Sequence, residues 1–201
     1  MANTQGINYG AFPVTQPGMP PKLMYLRANT AQAIYRGQFV AVNNSGQIAV
    51  VAPGDNVAAI GVAWQFLDSD QAGLPSGMTS LSQGAFLPSA TNAVVAYTYD
   101  PQQLYLMEEI TGGTAITALS VGLLANWTYT ATTGNTTTGF ATTVIQNSSV
   151  AAGTGPLLQL LGFDNVTNQD GTSNGAGASA KWIVRIANHQ FNGTKLGVPQ
   201  G

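Results

Sequence analysis

Short apolar runs broken by turn-forming residues dominate the chain from Ala33 onward: AIYRGQFVAV, NNSG, QIAVVA, PGDN and VAAIGVAWQFL follow one another. Asn44-Ser45-Gly46 supplies a position that accepts positive φ, and Pro53-Gly54-Asp55-Asn56 has a tight-turn composition. Both links read as hairpin connections, which predicts a small antiparallel meander. The stretch 68–83, DSDQAGLPSGMTSLSQ, has no sustained period and many breakers, so it reads as a long loop or inserted flap.

Further β-type runs follow: AFLP, NAVVAYTY, QLYLMEEI, the small-residue stretch AITALSVGLLANWTYTATT, FATTVIQ, PLLQLLGF and KWIVRIANHQF. Val, Ile, Thr, Tyr and Trp are the residues that a half-buried pleated surface favours. In KWIVRI, Trp182, Val184 and Ile186 alternate with Ile183 and Arg185, giving one apolar face and one mixed face. Ala115 to Leu124 has the composition for a helical turn or two, weakened by Thr, Ser and Gly. GNTTTG at 134–139 and the segment 165–180 are poor in apolar side chains and read as exposed, mobile loops.

The chain before Met24 differs. Pro13, Pro17, Pro20 and Pro21 exclude a helix or an inner strand, so it reads as an extended arm. The arm carries Tyr9, Phe12, Pro13, Val14 and Met19, and burying a large apolar side chain is worth about 1.5–3 kcal/mol. Two outcomes satisfy that cost: the arm packs on its own domain, or it lies on a neighbour.

The fold class expected is all-β, an antiparallel β-barrel or β-sandwich in two small lobes with an extended N-terminal arm and long loops. The arm occupies 1–27, a small barrel lobe 28–88 with its insertion near 68–83, a larger barrel or sandwich lobe 89–192, and a tail 193–201.

Composition turns this framework toward assembly. Charged residues are 7% of the 201 residues, against about 25% in an ordinary soluble domain, and the net charge is −2. A surface with so few ions repels neighbours weakly and suits subunit contact. Nucleic acid is a poor partner, because the six cations, Lys22, Arg27, Arg36, Lys181, Arg185 and Lys195, are scattered. No apolar stretch reaches the ~18 residues that a spanning helix needs, and the start lacks a secretion-signal layout, so no membrane partner is expected. The absence of cysteine excludes disulfides, thiolate chemistry and cysteine-based zinc sites.

Candidate chemistry is thin. His189 is the single histidine, a possible lone base, but no nucleophile-elbow sequence accompanies it; the plainer reading is an imidazole hydrogen-bonded at a strand end or interface. Glu108 and Glu109 point to opposite faces of a strand, so they do not form an acid–base pair and read as surface charges or part of a single ion pair. Asp68 and Asp70 resemble a fragment of a calcium loop without the remaining ligands. Gly112-Gly113 and Gly175-Ala176-Gly177 precede no clear helix, and no phosphate-binding P-loop string occurs. The Asn-x-Ser/Thr strings at Asn43, Asn126, Asn135, Asn147, Asn165 and Asn192 follow from an Asn- and Thr-rich composition. Trp64, Trp127, Trp182, Tyr97, Tyr99 and Tyr105 have the chemistry of a sugar-stacking platform, yet each lies in an apolar run, where core packing is the default.

Two segments resemble capsid decoration (head cement) proteins of tailed bacteriophages. One is IYRGQFVAVNNSGQIAVVAPGDNVAAIGVA, Ile34 to Ala63, similar in layout to their small β-barrel unit. The other is the later half, where YDPQQLYL, Tyr99 to Leu106, and WIVRIANHQF, Trp182 to Phe191, are similar to stretches of phage virion proteins. The resemblance implies a host-made protein of the outer capsid surface of the virion. It would be a homotrimer, with loops or arm clamping neighbouring copies of the major capsid protein. It implies no enzyme activity, catalytic residue, cofactor or metal. Partner contact is then expected at Tyr9, Phe12, Pro13, Val14 and Met19. The alternative is a carbohydrate-binding or host-adhesion module of a virion surface structure; a hydrolase built on His189 is a third.

Overall fold

A computed structural model describes residues 10–15, 20–29, 31–54, 58–68, 86–90, 93–152, 157–164, 174–177 and 179–191. The protein is all-β, built from antiparallel sheets that curl into a half-barrel. The strands are β1 Phe12–Val14, β2 Leu23–Arg27, β3 Ile34–Tyr35, β4 Phe39–Val42, β5 Ile48–Val50, β6 Gly61–Asp68, β7 Phe86–Leu87, β8 Ala93–Thr98, β9 Leu104–Glu108, β10 Leu124–Gly134, β11 Ala141–Ala151, β12 Leu158–Phe163 and β13 Lys181–Ile186. Within the stretch expected to turn helically, Ala118–Ser120 forms a single 3-10 turn.

One sheet runs β1-β9-β13-β12-β10-β11, a second runs β2-β8-β6-β4-β5, and β3 pairs with β7. The second sheet bends until its ends meet: Ala28, just past β2, bridges to Ile48 of β5, and the Asn29 N–H donates to the Ile48 carbonyl at 2.7 Å. This is the small barrel.

Strand β4 explains how the sheets stack. Phe39 and Ala41 enter the core against the six-stranded sheet, whereas Val40 packs inside the barrel with Ile48, Ile60 and Phe66. A strand buried on both faces has no polar alternation, which is why FVAV reads as apolar throughout. In β6, Val62 faces the first core and Ala63 and Phe66 the second; a bulge between Ala63 and Gln65 resets the alternation. The first core is aromatic, with Phe39 5.3 Å from Trp127 and 6.3 Å from Tyr105 between ring centroids.

Several expectations are corrected. The run AIYRGQFVAV is two strands, because Gly37 takes φ +81° and turns the chain between β3 and β4. The Asn44-Ser45-Gly46 turn does close a β4–β5 hairpin, with Val42 opposite Ile48. The link through Pro53-Gly54 does not close a second one: β6 passes β5 and pairs with β4 on its other side, so the order is β5-β4-β6 and no simple meander forms. The reason is burial, since β6 is apolar on both faces near Gly61–Ala63 and belongs inside the sheet. The expected division at 88/89 separates β8 from the strands it pairs with, β2 and β6.

GNTTTG is exposed at Asn135 to Thr138, as expected, and forms a tight turn. The Asn135 side chain accepts hydrogen bonds from the N–H groups of Thr137 and Thr138. The turn docks on the barrel, where Arg36 N–H donates to the Gly139 carbonyl at 3.0 Å and Gly134 lies against the Tyr35 ring. Of the loops at 68–83 and 165–180, most residues lie outside those described.

Candidate functional site: an apolar seam in the small barrel

The arm splits between the two sheets. In β1, Phe12 pairs with Leu106 and Val14 with Leu104, an edge position that tolerates Pro13 without a lost ladder bond. Pro13 is buried, and the Phe12 ring meets Trp64 edge-on at 5.0 Å while staying 41% exposed. Tyr9 and Met19 lie outside the described residues. In its described part the arm packs on its own domain.

Strand β2 is the other edge, and it is apolar on both faces: Leu23, Met24, Tyr25, Leu26. Leu26 and Ala28 face the barrel interior, and Met24 shares their face. Met24 is nonetheless 43% exposed: among the described residues the barrel is closed at Ala28 and Ile48, and β2 runs on past that closure. The gap is a groove of about 280 Å³ lined by Met24, Tyr25, Leu26, Val42, Ile60, Tyr97, Gln190 and Phe191. Six large hydrophobic side chains are exposed among the described residues, and three of them, Met24, Tyr25 and Phe191, line this one groove. Convergence of that kind marks a contact surface more than scattered exposure does. Leu119 and Val121, on the 3-10 turn, form a second exposed pair.

The far wall is built by the segment after β13. Gln190 N–H donates to the Ala59 carbonyl at 2.8 Å, and its side-chain amide both accepts from Val42 N–H at 3.0 Å and donates to the Val42 carbonyl at 3.1 Å. The amide thus stands in for a neighbouring strand at the end of β4. His189 is buried beneath: its Nδ1 accepts from Phe191 N–H at 3.0 Å, and the two rings lie 5.9 Å apart between centroids. Its Nε2 is buried and makes no hydrogen bond of good geometry. Burial lowers the imidazole pKa, with the Ile60 backbone and the Asp100 charge opposing. Among the described residues no acidic or hydroxyl partner hydrogen-bonds the ring, and His189 lies next in the chain to Gln190 and Phe191, which line the groove.

Glu108 and Glu109 are not surface charges: both are buried. They have separate partners, as opposite faces of a strand require. Glu109 accepts from Ile116 N–H at 2.8 Å and from Trp182 Nε1 at 3.3 Å, and burial raises its pKa against those bonds. Glu108 accepts from Ser179 and lies across from Lys181, but burial outweighs both and pushes its pKa up to about 7. Because the folded state holds this proton more tightly than the unfolded chain, Glu108 favours folding most below its ordinary value of 4.5, and that contribution falls as pH rises toward 7. Relative to Glu108→Gln, the wild type is expected to lose on the order of 2 kcal/mol between pH 4.5 and pH 7.5, read from urea midpoints at each pH. Parallel curves for the two proteins would contradict the assignment.

The aromatic platform is not assembled. Trp127, Trp182, Tyr97 and Tyr105 are fully buried, and only Trp64 and Tyr99 are partly accessible. Tyr105 OH shares a hydrogen bond with Thr98 Oγ1 at 2.7 Å inside the protein. Asp68 ends β6, and Asp70 lies outside the described residues; among those described, no three acidic or histidine side chains gather as metal ligands. No described helix is long and apolar enough to cross a membrane. The one ion pair among the described residues is the exposed Lys22–Asp100 contact at 3.1 Å, a pair of small energetic weight.

No protein-family model, curated protein or solved structure matches this chain significantly.

Proposed function

We propose that the chain is a structural virion protein that binds the outer surface of a phage capsid and cements neighbouring major capsid subunits, working as an oligomer. The observation that carries this reading is the groove: three exposed hydrophobic side chains converge along an edge strand, on a protein with 7% charged residues. Such a surface gains from being covered and meets little charge repulsion. Its lining holds no nucleophile, base or metal cluster, so adhesion is the work it is suited to. A contact of standard size covers about 1,200–2,000 Å² in total, and repeated over a shell, modest contacts add.

Shell stability tests this. Phage shells lacking the chain are expected to break at a lower temperature than shells to which it has been added back, with the protection nearly the same at low and at molar salt. Equal breakage with and without the chain would remove the cementing role. Protection that vanishes with salt would point to an ionic contact instead.

A further inference from the structure

Beside the groove, the backbone of β2 has an open side. Ala28 N–H donates to the Ala93 carbonyl at 2.9 Å, and the register pairs Arg27 with Val94, Leu26 with Val95, Tyr25 with Ala96, Met24 with Tyr97 and Leu23 with Thr98. Hydrogen-bonded and non-hydrogen-bonded pairs alternate along an antiparallel ladder. Met24 and Leu26 therefore turn their N–H and C=O toward β8, and Leu23, Tyr25 and Arg27 turn theirs to the open side. Asn29 confirms the parity, because its outward N–H is the one taken by Ile48. The parallel bridge of Ala28 with Ile48 thus fills the outward side at Asn29 and takes the Arg27 carbonyl as well, and β5 reaches no further: the next two outward rungs, at Tyr25 and Leu23, have no backbone partner among the described residues.

An unpaired rung row beside an apolar groove is the requirement for strand addition, in which main-chain bonds give affinity and alternate side chains drop into pockets. Charge decides the occupant. Arg27 is exposed at the closed end of the row and makes no ion pair among the described residues, while Lys22 at the other end is held by Asp100. β2 itself, LMYLR, holds no acidic residue, so a second copy offering its own β2 has nothing to set against Arg27. We infer that β2 accepts, along Leu23 to Tyr25, an extended strand from a different chain, with apolar side chains at alternate positions and an acidic side chain that reaches Arg27. The inference rests on the reading of this groove as a subunit contact and names its mode.

The test uses the full chain and a fluorescent synthetic peptide of alternating Val and Thr with one Glu near its end, followed by polarisation. A second peptide carries Lys for Glu, and a third is N-methylated at alternate residues. Wild type is expected to bind the Glu peptide and to bind the Lys peptide about tenfold more weakly. Tyr25→Pro removes one outward N–H, leaves the β8 ladder intact and should weaken binding at least about tenfold, whereas Tyr25→Ala, which keeps the N–H, should lose much less. Arg27→Ala should erase the preference for Glu. If Tyr25→Pro does not fold, the N-methylated peptide probes the same main-chain bonds from the other side: its failure to bind supports strand addition, and its binding as tightly as the Glu peptide overturns it. No binding at millimolar peptide, or equal binding by Tyr25→Pro and wild type, also overturns the inference. So does a dimer that Tyr25→Pro abolishes, which assigns the edge to a second copy. Should peptide binding behave as expected while shells gain no stability, the cement reading falls and the strand-accepting edge stands.

Discussion

Replacing Gly61 by alanine is expected to cost about 3 kcal/mol or more of stability, a large loss for the addition of one methyl group. A Cβ there would collide with the Thr98 carbonyl oxygen and lie 2.6 Å from its carbonyl carbon, both backbone atoms of the neighbouring strand. Relief requires β6 and β8 to part. That breaks the bond from Val62 N–H to Thr98 Oγ1, 2.9 Å long, and with it the Thr98–Tyr105 contact that ties the barrel to the six-stranded sheet. Gly162→Ala is the control, since its Cβ meets nothing within 4 Å. Urea unfolding of the two variants checks the claim; a Gly61→Ala midpoint equal to that of Gly162→Ala would show that the strands approach less closely than described.

Trp182→Ala is expected to cost about 4 kcal/mol or more, for two reasons that add. The indole is fully buried against Phe163, 3.9 Å between ring centroids, so truncation leaves a cavity that its neighbours cannot fill. It also removes the Nε1 donor from the buried Glu109 carboxyl, which is left short of a partner. The second part separates from the first in the double variant with Glu109→Gln, whose amide oxygen keeps the Ile116 bond without a charge to desolvate. The double variant is expected to recover part of the loss. Strict additivity of the two changes would mean that the indole and the carboxyl do not interact.

Much of the fold was legible because it is local. Turn residues bounded nearly every strand, and the alternation of Trp182, Val184 and Ile186 matches the buried face of β13. Pairing was not legible, because a Pro-Gly turn leads equally into a hairpin or past a neighbour; the burial of β4 on both faces decides, and that depends on a sheet far along the chain. The two glutamates misled for the same reason. Their partners lie at Ile116, Ser179, Lys181 and Trp182, and nothing in QLYLMEEI announces donors brought from elsewhere. The groove left one signal, LMYLR, apolar on both faces and close behind Pro20-Pro21. An edge strand normally carries charges or bulges that deter pairing, and this one carries a single Arg27. Reading 1–27 as one arm hid it, since β1 and β2 belong to different sheets.

The barrel's incomplete closure, the convergence of Met24, Tyr25 and Phe191, and the scarcity of ions are the grounds for the proposal that a partner covers this surface. Sedimentation of the purified chain with and without phage shells tests that account most directly. Wild type should move with the shells and stay with them in molar salt, and Tyr25→Pro should remain at the top of the gradient. A wild-type chain that stays at the top beside intact shells would contradict it.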